Sequence, residues 1–236
     1  MNDPLAADSH SPLPCPLCGD SGNKKRIGGA DSRRYFHCPC CRLIFIDPEQ
    51  FLLREQERAR YQQHHNSIEE TGYVRFLDQV LSPLLPHLTP SSRGLDYGCG
   101  PNPVLAELVQ RHGLHCDVYD PFFADVPLHP PYDFLLASEC FEHFCRPFRD
   151  IARICKLLRP GGWLAVMTEF WRDPGQFSTW TYSRDTTHVS FFHAQTLRFL
   201  GCRFPLELIW EDQYRVALFR RIKGFCPSII SSPAGD

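Results

Sequence analysis

The run Leu95-Asp96-Tyr97-Gly98-Cys99-Gly100-Pro101-Asn102-Pro103 puts a carboxylate at the end of a short apolar segment, then two glycines, then a helix start. Glycine has no Cβ, so Gly98 and Gly100 permit a sharp turn and a close approach of a ligand to the backbone. At the carboxyl end of a parallel strand, such a turn suits a nucleoside-type cofactor. A dinucleotide fingerprint would place a third glycine where Pro103 stands. Asn102 and Pro103 read instead as a helix N-cap and first helical residue, which weakens an NAD reading. Asp120 follows Gly100 by 20 residues, where a carboxylate can accept from both hydroxyls of a ribose.

A second set of residues is suited to metal. Cys15-Pro-Leu-Cys18 and Cys38-Pro-Cys-Cys41 repeat a C-x₂-C knuckle across a gap of 19 residues. This is zinc-ribbon spacing, with four thiolates arranged as a tetrahedron. Soft thiolates select Zn²⁺, and a closed site leaves no position for water, so the role is structural. Cys40 and His37 are alternative donors, but only Cys38 and Cys41 reproduce the first knuckle. So short a segment cannot build its own core, and the metal would supply its folding energy. Lys24, Lys25, Arg26, Arg33, Arg34 and Arg42 make the segment basic. That suits either a nucleic-acid-binding finger or a solvated charged surface, and the second is preferred because no base-stacking aromatic series accompanies the charges.

Further motifs follow the glycine turn in order: Val118-Tyr-Asp-Pro121, Tyr132-Asp-Phe-Leu-Leu-Ala-Ser-Glu139 with Glu142-His143, and Leu158-Arg-Pro-Gly-Gly162. Together they resemble the motifs of class I S-adenosylmethionine-dependent methyltransferases over about residues 93–200. The resemblance implies an α/β, Rossmann-like sheet, mostly parallel with the last strand antiparallel, and S-adenosylmethionine as cofactor. It also implies a cofactor-binding set of Asp96, Tyr97, Gly98, Cys99, Gly100, Asp120, Pro121, Ser138 and Glu139. In the family's pattern Asp96 lies beneath the methionine moiety, its charge complementing the ammonium group. Ser138 and Glu139 border the transferring methyl. Cys99 reads as a small space-filler, since an activated methyl donor needs no covalent intermediate. The chain departs from the family in having only about a dozen residues between Asp120 and Asp133. Pro121, Pro127, Pro130 and Pro131 forbid regular structure there, so a helix–strand unit is missing or collapsed into a loop. Asp125 is then the sole, weak counterpart of the usual adenine-contacting acid.

These motifs require positioning elements. The organisation reads as a leader (1–14), a zinc ribbon (15–47), a helical linker and cap (48–92), the methyltransferase domain (93–223) and a tail (224–236). Residues 49–65 read as an exposed helix. Residues 72–88 carry a helical apolar period until Pro83 and Pro86, packing on the sheet over the cofactor. Strands are predicted at 94–97, 115–119, 132–138 and 163–168, with an antiparallel pair at 206–210 and 215–220. Helices are predicted at 103–112, along the Phe148, Ile151, Ile154, Leu158 face until Pro160-Gly161-Gly162, and at 194–200.

The segment Trp180-Thr-Tyr-Ser-Arg-Asp-Thr-Thr-His188-Val-Ser-Phe-Phe192 sets Tyr182, Arg184, Asp185 and His188 among aromatics. Loops at this rim close over an acceptor, so the acceptor pocket is placed between Ser138, Glu139, Tyr182 and His188. Phe170, Trp171, Trp180 and Phe191 would be its apolar walls. His188, with an ordinary pKa of about 6.5, could take a proton near neutrality or serve structurally as a cap for the next helix. Catalytic candidates are therefore His188, Tyr182 and Glu139. Glu142-His143 reads as an acid–base pair or, equally, as a brace at a helix start, because adjacent residues point in different directions.

The 236 residues, 43% hydrophobic and 22% charged with a net charge of −2, describe an ordinary globular composition. They produce no field drawing the whole molecule to nucleic acid or anionic membrane. No membrane-spanning run or secretory signal is present, and scattered single cysteines in a chain of this length suit a reducing cytoplasm. The combined reading is a methyltransferase acting on a small-molecule acceptor. The alternatives are an RNA methyltransferase and a zinc-ribbon RNA- or protein-binding adaptor.

Overall fold

The computed structural model describes residues 13–63 and 66–224. The expected leader and tail fall almost wholly outside them. A ribbon comes first, with β1 (Lys25–Ile27), β2 (Tyr35–His37) and β3 (Ile44–Ile46). Helices α1 (Arg54–Tyr61) and α2 (Thr71–Leu81) lead to the main sheet. Next come β4 (Arg93–Tyr97), α3 (Val104–Arg111), β5 (His115–Tyr119) and β6 (Tyr132–Ser138). The chain then runs through α4 (Pro147–Leu157), β7 (Leu158–Met167), β8 (Ser190–Phe191), α5 (Ala194–Arg203), β9 (Leu206–Glu211) and β10 (Val216–Arg221).

The main sheet has the order β5-β4-β6-β7-β10-β9. Its first four strands are parallel, and β10 runs antiparallel to both β7 and β9. Side chains alternate between two apolar layers, as a parallel sheet covered on both faces requires. Phe134, Leu136, Ala165 and Met167 pack under α2 and α3 with Leu77, Val80, Leu81 and Val109. Leu135, Ala137, Leu164 and Val166 face Ile151 and Ile154 of α4 and Leu197 and Leu200 of α5. No strand or helix occupies residues 120–131, so β5 is the sheet edge and the helix–strand unit is absent as expected.

Several boundaries differ from the sequence reading. Helix α3 starts at Val104 with Pro103 at the N-cap, and Asn102 makes no cap; its side-chain amide donates to the Asn66 carbonyl at 3.2 Å. Leu158 is already strand, pairing with Tyr132 while Trp163 pairs with Phe134. Residues 159–162 are therefore a bulge within β7, and Gly161 takes its left-handed φ of 83° there. The exposed helix shortens to α1, preceded by a 3₁₀ turn at Pro48–Gln50.

The ribbon is not a separate body. β3 pairs with β8, so a piece of the loop after β7 becomes the fourth strand of the ribbon sheet. Leu17, Phe36, Leu43 and Phe45 share one core with Phe141, Phe144 and Ile151. The basic residues are largely used internally. Lys24 is buried on Asp20, Arg34 pairs with Asp47 and Glu49, and Arg42 lies over the Trp171 ring.

Candidate functional site

Gly98 and Gly100 adopt φ values of 84° and 66°, which favour glycine. A Cβ on Gly98 would lie 2.6 Å from Cys140 Sγ, so β4 must pass the start of the β6 loop as bare backbone. The N–H groups of Gly98 and Cys99 both point to the Tyr119 carbonyl, at 2.7 and 3.2 Å. Asp120 completes the turn. One carboxylate oxygen accepts from Gly100 N–H at 3.0 Å, the other from Phe122 and Phe123 N–H at 2.8 and 3.2 Å. Asp120 thus ties the β4 turn to the end of β5, and of its four lone-pair sites one remains, on the oxygen that Gly100 N–H meets. Pro121 follows at the surface, and its carbonyl accepts from Arg54 of α1 at 2.6 Å.

Asp96 is buried below this turn. Burial pushes its carboxyl up to about 7; the Ala106 backbone opposes this and the Asp120 charge adds to it. Tyr97 packs on Tyr119, with Arg153 over both rings. Burial also raises the Cys99 thiol, which keeps it protonated. Tyr73 of α2 accepts from the Asn66 amide at 2.9 Å, and the Asn66 carbonyl in turn accepts from Asn102, so the cap is pinned to the loop beyond the glycines.

Across the sheet end, β6 finishes at the half-buried Ser138, and Glu139 turns the chain with a φ of 47°. The Tyr182 hydroxyl donates to Glu139 at 3.2 Å and lies 3.3 Å from the Thr168 hydroxyl. Burial, then the Glu142 charge, hold the Glu139 carboxyl well above the usual range. The His188 ring lies tilted against the Tyr182 ring at 4.4 Å between centroids, with Nδ1 2.7 Å from the Tyr182 carbonyl. Ser138, Glu139, Tyr182 and His188 are thus brought to one region.

Two expectations change here. Burial lowers His188 to about 4, so it stands neutral near physiological pH and is a poor proton acceptor. The cap of α5 is His193, not His188. The walls also divide. Phe191 and Trp180 stay beside Tyr182 and His188, whereas Trp171 packs against His37 and His193. Phe170, Trp171 and Trp180 line a neighbouring open cavity of about 290 Å³ that includes Glu169 and Arg215.

Glu142 and His143 are the residues whose part the sequence left open. They lie in a 3₁₀ turn, Phe141–His143, and both reach the His188 ring: His143 at 4.8 Å between centroids, Glu142 within the same small cluster. The tight turn, rather than an α-helix, is what sends adjacent side chains to one place. The pairing Glu-His was itself the available signal.

The loop carrying Tyr182 and His188 is held by the ribbon. Arg33 donates to the carbonyls of Ser183, Asp185, Thr186 and His188 at 2.7–3.2 Å. Ile46 N–H donates to the Val189 carbonyl at 3.1 Å, next to the β3–β8 pairing.

The ribbon's own knuckles bring four buried sulfurs together. Cys15 and Cys41 Sγ are 3.5 Å apart, Cys18 and Cys38 Sγ 3.6 Å, and all four lie within 4.8 Å of one another. Zinc–sulfur bonds of about 2.3 Å in a tetrahedron require edges of about 3.8 Å, so the donor set fits such an ion. Each knuckle closes alike: Gly19 N–H to the Cys15 carbonyl and Arg42 N–H to that of Cys38, both at 2.9 Å. Gly19 and Arg42 take left-handed φ values of 75° and 64°.

No helix among the described residues is long and apolar enough to cross a membrane. No curated protein matches the chain. Similar solved structures include the Burkholderia thailandensis 1,6-didemethyltoxoflavin-N1-methyltransferase, with bound 1,6-didemethyltoxoflavin and S-adenosylhomocysteine. It is 16% identical, covering 81% of this chain and 96% of that one, with a TM-score of 0.48. An O-methyltransferase family protein from the same organism is 18% identical over 73% of this chain and 65% of that one, at a TM-score of 0.45. The plantazolicin methyltransferase BpumL, solved with S-adenosylhomocysteine, is 13% identical over 75% and 91%, also at 0.45. Residues 63–209 match the family described as "Methyltransferase domain". With the glycine turn, the ordered motifs and the sheet order already described, this match makes the chain a member of the class I S-adenosylmethionine-dependent methyltransferases.

Proposed function

We propose that the protein transfers a methyl group to a small-molecule acceptor held between Glu139, Tyr182 and His188, and that the four cysteines hold a structural zinc ion. The observation that carries this reading is the placement of two constructions at one end of the sheet. The glycine turn with Asp96 and Asp120 lies at the ends of β4 and β5, and the Glu139–Tyr182 pair lies at the end of β6. Bound S-adenosylmethionine supplies a methyl group already activated on a sulfonium. Asp120 would accept from a ribose hydroxyl with its one remaining lone pair, Asp96 would face the ammonium group, and Gly98, Cys99 and Gly100 would present backbone.

What remains for the chain is to orient the acceptor for in-line attack and to remove water, which is where near-attack positioning contributes most. Trp180 and Phe191 exclude solvent, and their faces suit a cation. Where the acceptor must lose a proton, Glu139, at the end of β6 and hydrogen-bonded to Tyr182, is the carboxylate placed to take it when ionised. Tyr182 orients Glu139. A small acceptor is preferred to nucleic acid because most of the ribbon's cations are spent on partners within the chain.

Calorimetry with S-adenosylmethionine, S-adenosylhomocysteine and NAD tests the cofactor assignment, and tighter binding of NAD would overturn it. Asp120→Ala should weaken S-adenosylmethionine binding by about 1–3 kcal/mol, the scale of hydrogen bonds to a charged group.

Asp96 predicts a pH dependence. A carboxyl raised to about 7 in the free protein holds its proton below that pH, and a cationic ligand must displace it. Affinity should therefore fall as the pH drops, by roughly five-fold from pH 7 to pH 6. For the free protein the sign is the opposite. Stability declines as the pH rises from the unfolded-state value of about 4 through 7, because ionisation is disfavoured in the fold. Asp96→Asn should flatten the binding profile; an unchanged slope in that variant would assign the dependence elsewhere.

A further inference from the structure

Glu142, His143 and His188 form a cluster that the four-thiolate site does not use and that methyl transfer from an activated sulfonium does not require. Glu142 is fully buried, and neither of its carboxylate oxygens has a hydrogen-bond partner. A buried carboxylate without compensation is strongly destabilising, so this one calls for a cation. Nearby side-chain cations do not supply it. Arg60 is paired with Asp185, Arg215 lies by Glu169, and His143 Nε2 stands 3.9 Å from Glu142 Oε1, beyond hydrogen-bond distance.

The two imidazoles are oriented by one device. His143 Nδ1 lies 3.1 Å from the Thr187 carbonyl, and His188 Nδ1 lies 2.7 Å from the Tyr182 carbonyl. A carbonyl only accepts, so each Nδ1 carries the proton and each Nε2 keeps its lone pair. A ring fixed from behind by a backbone carbonyl is the usual arrangement of a metal-ligating histidine. The backbone around the cluster is tied down as well. Val189 N–H donates to the Glu142 carbonyl at 2.8 Å, and Ser190 Oγ donates to the Phe144 carbonyl at 2.8 Å. The Tyr61 ring meets His143 edge-to-face, with 5.1 Å between centroids. One ligand atom from each of the three residues lies within 4.8 Å of the others. Ligands at about 2.1 Å from an ion are about 3–3.5 Å apart, a distance that side-chain rotation alone can reach.

We propose that Glu142, His143 and His188 bind a divalent first-row transition-metal ion, of the zinc, manganese(II) or iron(II) kind, with coordination positions left open beside Tyr182. Two imidazoles and one carboxylate suit these ions and do not close their coordination. An oxygen atom of the acceptor is the class of ligand that would complete it, and coordination would lower that oxygen's pKa.

The test uses the full chain with its four-thiolate ion in place, titrated with Co²⁺ and followed by visible absorption and equilibrium dialysis. One further equivalent should bind with ligand-field bands but without the sulfur-to-metal charge-transfer band of thiolate-bound cobalt. His143→Gln and His188→Gln should each weaken that equivalent by at least about 100-fold, since even residues that only orient a ligand cost 10–100-fold. Glu142→Gln, which preserves shape, should do the same and guards against a histidine variant that fails to fold. His115→Gln, on the exposed end of β5, should leave the titration unchanged. Absence of any equivalent beyond the thiolate site, or an equivalent unaffected by all three substitutions, would overturn the proposal. Binding of S-adenosylmethionine in the same samples reports on the cofactor site separately, so a failure of one reading is not mistaken for a failure of the other.

Discussion

Replacing Cys15 and Cys38 together by Ser is expected to abolish the four-thiolate metal, unfold the ribbon and stop methyl transfer. Structural zinc sites contribute about 10–16 kcal/mol of apparent binding free energy at neutral pH, which is comparable with or larger than the ~5–15 kcal/mol net stability of a whole domain. The damage should extend beyond the ribbon because β3 supplies the partner of β8 and Arg33 holds four carbonyls of the Tyr182–His188 loop. Elemental analysis of protein purified without chelator, thermal unfolding, and limited proteolysis within residues 180–192 would follow the three consequences. Unchanged metal content and melting in the double variant would refute the four-thiolate assignment.

Glu139→Gln should lower turnover by roughly 10²–10⁴-fold if the acceptor must lose a proton, the range expected for a missing general base. Tyr182→Phe keeps the ring and removes only the hydroxyl that donates to Glu139, so it should produce a smaller loss of the same kind. Single-turnover rates at saturating cofactor, with S-adenosylmethionine affinity measured alongside, distinguish chemistry from binding. Equal turnover in Glu139→Gln and the unaltered protein would remove Glu139 from the reaction.

The sheet was legible in the sequence for a physical reason. Strand β6 carries an unbroken apolar run, Phe134 to Ala137, as a strand buried on both faces requires. The prolines between Asp120 and Asp133 likewise foretold the missing helix–strand unit. The cysteine knuckles were readable because ligand spacing is local. What could not be read depended on contacts between distant segments. Nothing near Ser190 and Phe191 marks them as the fourth strand of a sheet that begins at Lys25. The lowered pKa of His188 comes chiefly from burial, which its neighbours in sequence do not report. Glu142 and His143 share a cluster because the chain there forms a 3₁₀ turn stitched to residues 187–190, whereas a helix start would have separated them.

The pairing of β3 with β8 also fixes an order of events during synthesis. The cysteine knuckles are complete once Cys41 has emerged, but the partner of Phe45 is Ser190, about 145 residues later. At 5–20 residues per second, the strand Ile44–Ile46 would wait roughly 7–30 s with one edge unpaired. An unpaired, wholly apolar edge is a template for pairing with another chain. The nascent protein is therefore most exposed to misassembly in this interval, and metal supply alone would not shorten it.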